Sequence, residues 1–215
     1  MLDIDTIFFD VDGTLVDATR DITNAMNRAL AEMGLPQKPH EEIVSYIGTG
    51  VRYLVSSSIG RDEEALVDRG VRLYSEYYVR HPADHTIIYP NVVNTLEYFG
   101  RKRKYILTNR YSRFADAMLR AIGLRHFFLG IIGGDDENCL KPSACVFDRP
   151  DNKIEFEKEK TMIVGDMAVD VETGKNAGIK TCWVSYGLGD PDEIARLKPD
   201  YSLDDIGELK KIIKL

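Results

Sequence analysis

Ile7-Phe8-Phe9-Asp10-Val11-Asp12-Gly13-Thr14-Leu15 is the stretch on which the reading of this chain turns. Its apolar half has the length and character of a buried strand, and it stops abruptly at two carboxylates, a glycine and a threonine. In an open α/β sheet, ligands bind at the carboxyl ends of the strands. Two acids one residue apart at such a point repel each other unless a cation or a proton intervenes. A fold gains nothing obvious from that pair, whereas a reaction can use it. The competing reading is a strand followed by a polar turn, because Asp-Gly is common in turns.

Outward from this stretch, short apolar runs recur at Thr6–Phe9, Tyr105–Leu107, Gly130–Ile132, Thr161–Val164 and Thr181–Val184. Helix-like patterns or turn residues separate them, which predicts a parallel sheet covered by helices, with Tyr201–Leu203 as a weak edge strand. The segment 18–84 has a different character. Ile22, Ala25, Met26, Ala29, Leu30 and Met33 form one stripe at helical spacing, ended by Gly34. Val71, Tyr74, Tyr77 and Tyr78 form another, read as packing surface, and Gly48-Thr49-Gly50 interrupts the pattern between them. The expected architecture is an α/β core of residues 1–17 and 85–215, interrupted by a small α-helical domain of residues 18–84. The chain would cross between them near Val16–Thr19 and Asp84–Pro90.

Composition narrows the function. The 215 residues, 44% of them hydrophobic, suffice for one sizeable core and an accessory domain. A formal net charge of -7 argues against a general binder of nucleic acid or anionic membranes. No apolar run approaches the ~20 residues of a membrane span. The acidic start Met1-Leu2-Asp3-Ile4-Asp5 has no basic segment of a signal peptide. Cys139, Cys145 and Cys182 form no CxxC pair and are odd in number, so reduced, buried thiols in a cytoplasmic protein are expected. His40, His81, His85 and His126 are scattered, without metal-ligand spacing.

The polar residues at strand ends suggest one chemistry. Asp10 is the candidate nucleophile, able to attack phosphorus and form an aspartyl phosphate. Asp12 can give a proton to the leaving oxygen and later take one from water. Gly13 lets the backbone turn sharply, and Thr14 helps fix that turn. Thr108 and the amide of Asn109 can donate to phosphate oxygens, although Thr-Asn also caps helices well. Lys141, before Pro142, supplies a point positive charge. Asp166 and Asp170 end another strand, the second placed for the first turn of a helix. If these strand ends converge, four carboxylates face one lysine and an incoming phosphate, an assembly that requires a divalent cation. Hard oxygen donors favour Mg²⁺, held by Asp10, the backbone carbonyl of Asp12 and Asp166.

In order along the chain, Asp10-Val11-Asp12-Gly13-Thr14-Leu15, Leu107-Thr108-Asn109, Lys141-Pro142 and Gly165-Asp166 with Asp170 resemble the four motifs of haloacid dehalogenase superfamily phosphatases. The insertion resembles the α-helical cap of the first subfamily. Asp12 to Asp17, Asp21-Ile22, Gly34-Leu35-Pro36 and Ile47-Gly48-Thr49-Gly50 with Leu54 resemble phosphoglycolate phosphatases in particular. The resemblance implies a Rossmann-like core with helices on both faces, Mg²⁺ dependence and hydrolysis of a small phosphorylated metabolite, phosphoglycolate first. It also implies that Gly48, Thr49, Gly50 and Arg52 form a cap loop facing the far end of the substrate. Arg52 would pair with a substrate carboxylate there, or else be a solvated helix arginine.

The alternatives within the superfamily are a phosphosugar mutase, a pyrophosphatase and a nucleotidase. A non-enzymatic binding protein would show damage to the nucleophile, acid, lysine or metal residues, and none is damaged. A monomer or a homodimer fits equally. Four departures stand out: Met167 where Ser or Thr is usual, Asn91 for a common Gly, Ser143-Ala144 without a second proline, and Asp148-Arg149-Pro150-Asp151-Asn152, which opposes a helix.

Overall fold

Successive side chains of a strand point to opposite sides of a sheet, and here they divide the core in two. Ile7, Phe9, Ile106, Met162 and Val164 belong to one apolar cluster, and Phe8, Tyr105, Leu107 and Ile163 to another. The computed structural model describes residues 1–148 and 154–215. In chain order its strands are β1 (Thr6–Phe9), β2 (Val16–Asp17), β3 (Ile87–Ile88), β4 (Arg103–Leu107), β5 (Gly130–Ile132), β6 (Thr161–Gly165), β7 (Lys180–Val184) and β8 (Tyr201–Leu203). Six of them form one parallel sheet in the order β5-β4-β1-β6-β7-β8. The chain builds outward to one side from β1 and then to the other from β6, so the switch in direction falls beside β1.

Register determines what meets at that point. Phe9 lies opposite Ile106 of β4 and Val164 of β6. The segments that continue into Asp10, Thr108 and Asp166 therefore leave the sheet side by side at one end.

The helices are α1 (Thr19–Glu32), α2 (His40–Val44), α3 (Val51–Ile59), α4 (Glu64–Arg80), α5 (Val92–Tyr98), α6 (Ser112–Ala121), α7 (Ala168–Ala177), α8 (Pro191–Leu197) and α9 (Leu209–Ile212). Val92, Leu96, Phe114, Met118 and Leu209 from α5, α6 and α9 join the first cluster, while Ala177 of α7 joins the second. Helices thus cover both faces of the sheet. The insertion consists of α1 to α4, with α4 packed along α1 and α3. Tyr74 and Tyr78 of α4 bury their rings against Phe114 of α6, with centroids 5.8 and 5.2 Å away, and so seat the insertion on the core.

The two chain crossings are tied together. β2 and β3 pair antiparallel, Val16 opposite Ile88 and Asp17 opposite Ile87, a ribbon too short to leave a pattern in sequence. Asp21 reinforces it by accepting from the His85 backbone N–H at 3.0 Å and the Thr86 hydroxyl at 2.7 Å.

One expectation is corrected. Cys139 and Cys145 form a disulfide with Cα atoms 5.8 Å apart, and Cys182 alone is a free, buried thiol. The chain reverses between the two half-cystines, bringing together residues whose spacing is not that of a CxxC pair. Ala144–Phe147 form a single 3₁₀ turn, and Arg149 to Asn152 lie outside the described residues. Among the described residues, no helix is long and apolar enough to cross a membrane.

Candidate active site

Asp10 leaves the end of β1 almost wholly buried, and Lys141 reaches it from the loop after β5. The Lys141 Nζ donates to Asp10 Oδ1 and to Asp170 Oδ1, both at 2.6 Å. Asn109 at the end of β4 fixes that loop: Lys141 N–H donates to Asn109 Oδ1 at 2.8 Å, and Asn109 Nδ2 donates back to the Lys141 carbonyl at 3.0 Å. The same Nδ2 donates to the Gly48 carbonyl of the insertion at 2.9 Å. The amide expected to hold phosphate oxygens is instead taken up by two carbonyls, where it fastens the lysine loop and the insertion to β4. Thr108 is buried, lines a cavity together with Asp10 and Lys141, and accepts from the Arg110 N–H at 3.2 Å.

Asp166 is fully enclosed. Its Oδ1 accepts from the Thr14 hydroxyl and its Oδ2 from the Leu188 N–H, both at 2.7 Å. Gly13 is required beside it: φ is 86°, and a Cβ there would fall 2.1 Å from Asp166 Oδ2. Asp170 sits in the first turn of α7 and accepts from Met167 N–H at 3.0 Å. One carboxylate oxygen each from Asp10, Asp166 and Asp170 lie within 4.8 Å of one another, a cluster able to hold a metal ion. The Asp12 side chain stands outside that cluster, in keeping with a part in which only its backbone carbonyl was expected to meet the ion.

Charge at this point is out of balance. Burial, then Asp10 and Asp170, holds the Asp166 carboxyl well above its ordinary range. Burial, with Asp10 adding to it and Lys141 opposing it, pushes Asp170 up to about 6. Burial works against the Lys141 ammonium, but Asp10 and Asp170 outweigh it and raise that group. Three carboxylates are thus buried together, two of them paired with one lysine, and all offer hard oxygen donors. That donor set fits a small divalent cation.

Asp12 has a different partner. Both carboxylate oxygens engage Arg110, Oδ2 accepting from Nε at 3.0 Å and Oδ1 from Nη2 at 2.6 Å. The remaining Arg110 nitrogen, Nη1, contacts the Tyr78 hydroxyl of α4, and the guanidinium lies 4.9 Å from that ring centre. Burial raises the Asp12 carboxyl, with Arg110 opposing. Arg110 lines the cavity beside these groups, and the sequence patterns do not single it out. Its only signal is a basic residue directly after Leu107-Thr108-Asn109.

The expected cap loop divides. Gly48 and Gly50 line the cavity that contains Asp10, Asp12, Thr108 and Lys141. Thr49 and Arg52 line a neighbouring depression instead. Arg52 pairs with Asp68 at 2.5 Å and with Glu137 of the core at 3.5 Å, so it does not face the reacting groups in this structure. Gly48 is pressed on Met167: φ is 105°, and a Cβ there would meet the Met167 sulfur at 2.5 Å. Met167, the departure noted in sequence, is therefore a contact between core and insertion.

Comparison with known proteins agrees with this geometry. The family model described as "Haloacid dehalogenase-like hydrolase" matches residues 7–184. The phosphoglycolate phosphatase of Chromobacterium violaceum is 34% identical over 98% of this chain and 97% of its own length. That of Haemophilus influenzae is 31% identical over 96% and 97%. A crystal structure described as a predicted phosphoglycolate phosphatase from Haemophilus somnus matches with a TM-score of 0.89 at 27% identity, covering 99% of both chains.

Proposed function

The chain belongs to the haloacid dehalogenase-like hydrolases, and from that premise we propose that it is a Mg²⁺-dependent phosphomonoesterase acting first on 2-phosphoglycolate. Residues 1–17 and 85–215 would carry the reacting groups, and residues 18–84 would act as a cap. The observation that carries this reading is Asp10 at the end of the central strand, facing a cavity and held 2.6 Å from Lys141 beside two further buried acids. Full-length similarity to phosphoglycolate phosphatases supports the choice of substrate.

Each residue has a part in the reaction. Lys141 offsets the charge of Asp10 and of the entering phosphate, and the Thr108 hydroxyl faces the phosphate oxygens. An Asp10 oxygen attacks phosphorus, forming an aspartyl phosphate as the bond to the ester oxygen breaks. Asp12 gives its proton to that leaving oxygen. It then takes one from a water that attacks the phosphorus, which frees inorganic phosphate and restores Asp10. Bound Mg²⁺ would add positive charge at the phosphoryl oxygens, held by Asp10, Asp166 and the Asp12 carbonyl, with Asp170 beside them. Ile47, Leu54 and Tyr74 give the cavity apolar walls on the insertion side, which suits a small substrate sheltered from water.

The test is a panel of 2-phosphoglycolate, hexose phosphates, pyrophosphate and mononucleotides, with Mg²⁺ or with a chelator. The expected result is the highest kcat/KM for 2-phosphoglycolate and no turnover in chelator. Phosphate release from none of them, or isomerisation of a hexose phosphate as the fastest reaction, would overturn the reading.

Metal binding should depend on pH in a definite sense. A carboxyl whose pKa is raised by folding takes up a proton in the native state, so the metal-free protein gains stability as pH falls through about 6 towards the unfolded value. Cation binding needs the ionised form and weakens over the same window. The Mg²⁺ concentration for half-maximal activity should rise roughly tenfold for each pH unit below that point. A requirement that stays flat across this window would show that Asp166 and Asp170 are not tied to the ion.

A further inference from the structure

Resting on the phosphomonoesterase reading, the Asp12–Arg110 pair raises a question of its own: how an acid–base carboxylate works while both of its oxygens are bound. Arg110 is 7% exposed and Asp12 is 9% exposed, so neither charge has water to fall back on. If Asp12 turned away alone, a guanidinium would be left buried and unpaired, a costly state. The pair can open only if another anion takes Asp12's place.

The cavity points to where that anion comes from. Arg110 and Lys141 are the two cationic residues among its described lining. Lys141 serves Asp10, Asp170 and, in the proposed reaction, the phosphate itself, the Asn109 amide is spent on carbonyls, and Arg52 is turned to Asp68 and Glu137. That leaves the flat fork of Arg110, which matches a carboxylate two nitrogens to two oxygens. The Tyr78 hydroxyl on Nη1, and the ring beneath the guanidinium, would keep the fork in place while its partner changes.

We propose that an anionic group at the far end of the substrate displaces the Asp12 carboxylate from Arg110, so that only a substrate carrying such a group frees Asp12 to turn toward the leaving oxygen. Recognition and catalysis then share one residue. The substrate class is a small phosphomonoester with a second anion, a carboxylate in the first instance. Arg110 reads that anion, and through the exchange it positions Asp12.

The experiment compares 2-phosphoglycolate with its isosteric carboxamide, 2-phosphoglycolamide, in the Mg²⁺-loaded protein and in Arg110→Ala and Arg110→Lys. In the unaltered protein, kcat/KM should favour the carboxylate by about 100-fold, with most of the difference in kcat. Arg110→Ala should bring that ratio to near one, and Arg110→Lys, which keeps the charge but loses the fork, should recover only part of it. A ratio unchanged by either variant, or no preference in the unaltered protein, overturns the exchange while leaving the phosphatase reading intact. Release of phosphate from neither compound removes both. Should Arg110→Ala not fold, inhibition of the unaltered protein by 3-phosphonopropionate and by its amide decides. Tighter inhibition by the acid, by roughly tenfold or more, supports the exchange, and equal inhibition overturns it.

Discussion

Asp10→Asn is expected to lower kcat for 2-phosphoglycolate by roughly 10⁴-fold or more while the protein stays folded. Asparagine has nearly the same shape, so packing at the end of β1 is kept, but a carboxamide oxygen is a poor nucleophile toward phosphorus. Lys141 does not lose its only partner, because Asp170 Oδ1 remains 2.6 Å from Nζ. One of three crowded carboxylates also disappears, which relieves repulsion rather than adding to it. Thermal unfolding checks the fold, and single-turnover phosphate release checks the rate. A rate within tenfold of the original would mean that Asp10 only binds.

Lys141→Met is expected to give the largest loss of stability. It leaves Asp10 and Asp170 buried beside Asp166 and without the ammonium that pairs with both of them. Breaking a buried ion pair by removing one partner costs about 3–5 kcal/mol. The sign of the pH dependence follows from the same charges. Without Lys141 the Asp170 carboxyl loses the charge that opposes its rise, so protonation relieves the site, and stability should return as pH falls through the carboxylate range. Mg²⁺ should restore part of the loss above that range by neutralising the same cluster. Urea midpoints with and without Mg²⁺, above and below pH 6, measure both effects. A variant as stable as the original at every pH would show that the ammonium does not offset those charges. Turnover should fall roughly 10³-fold as well, from lost stabilisation of the developing phosphoryl charge.

Much of the fold could be read from local pattern. Thr6–Phe9 alternates between two apolar faces and ends in charge, so both the strand and the position of its end were legible. Tyr201–Leu203, read as a weak edge strand, is the edge strand β8. The ribbon of β2 and β3 was not legible, since two residues carry no period.

At the site, what sequence could not show was competition for the same donor or the same charge. Asn109 offers an amide suited to phosphate, but the carbonyls of Gly48 and Lys141, 61 and 32 residues away in sequence, claim it. Arg52 looked free to meet a substrate until Asp68 and Glu137 came within reach. Arg110 drew no reading from sequence, because its burial and its contact with Tyr78 of α4 join residues 32 apart in the chain. The disulfide has the same origin: Cys139 and Cys145 meet because the chain reverses around Lys141.

Acid quench during turnover of 2-phosphoglycolate, followed by mass spectrometry of the peptides, examines the chemistry most directly. The expected result is a single acid-stable, base-labile phosphoryl group on Asp10, missing from Asp10→Asn. A phosphoryl group on any other residue, or steady phosphate release with none on Asp10 at any quench time, would contradict an aspartyl phosphate at the end of β1.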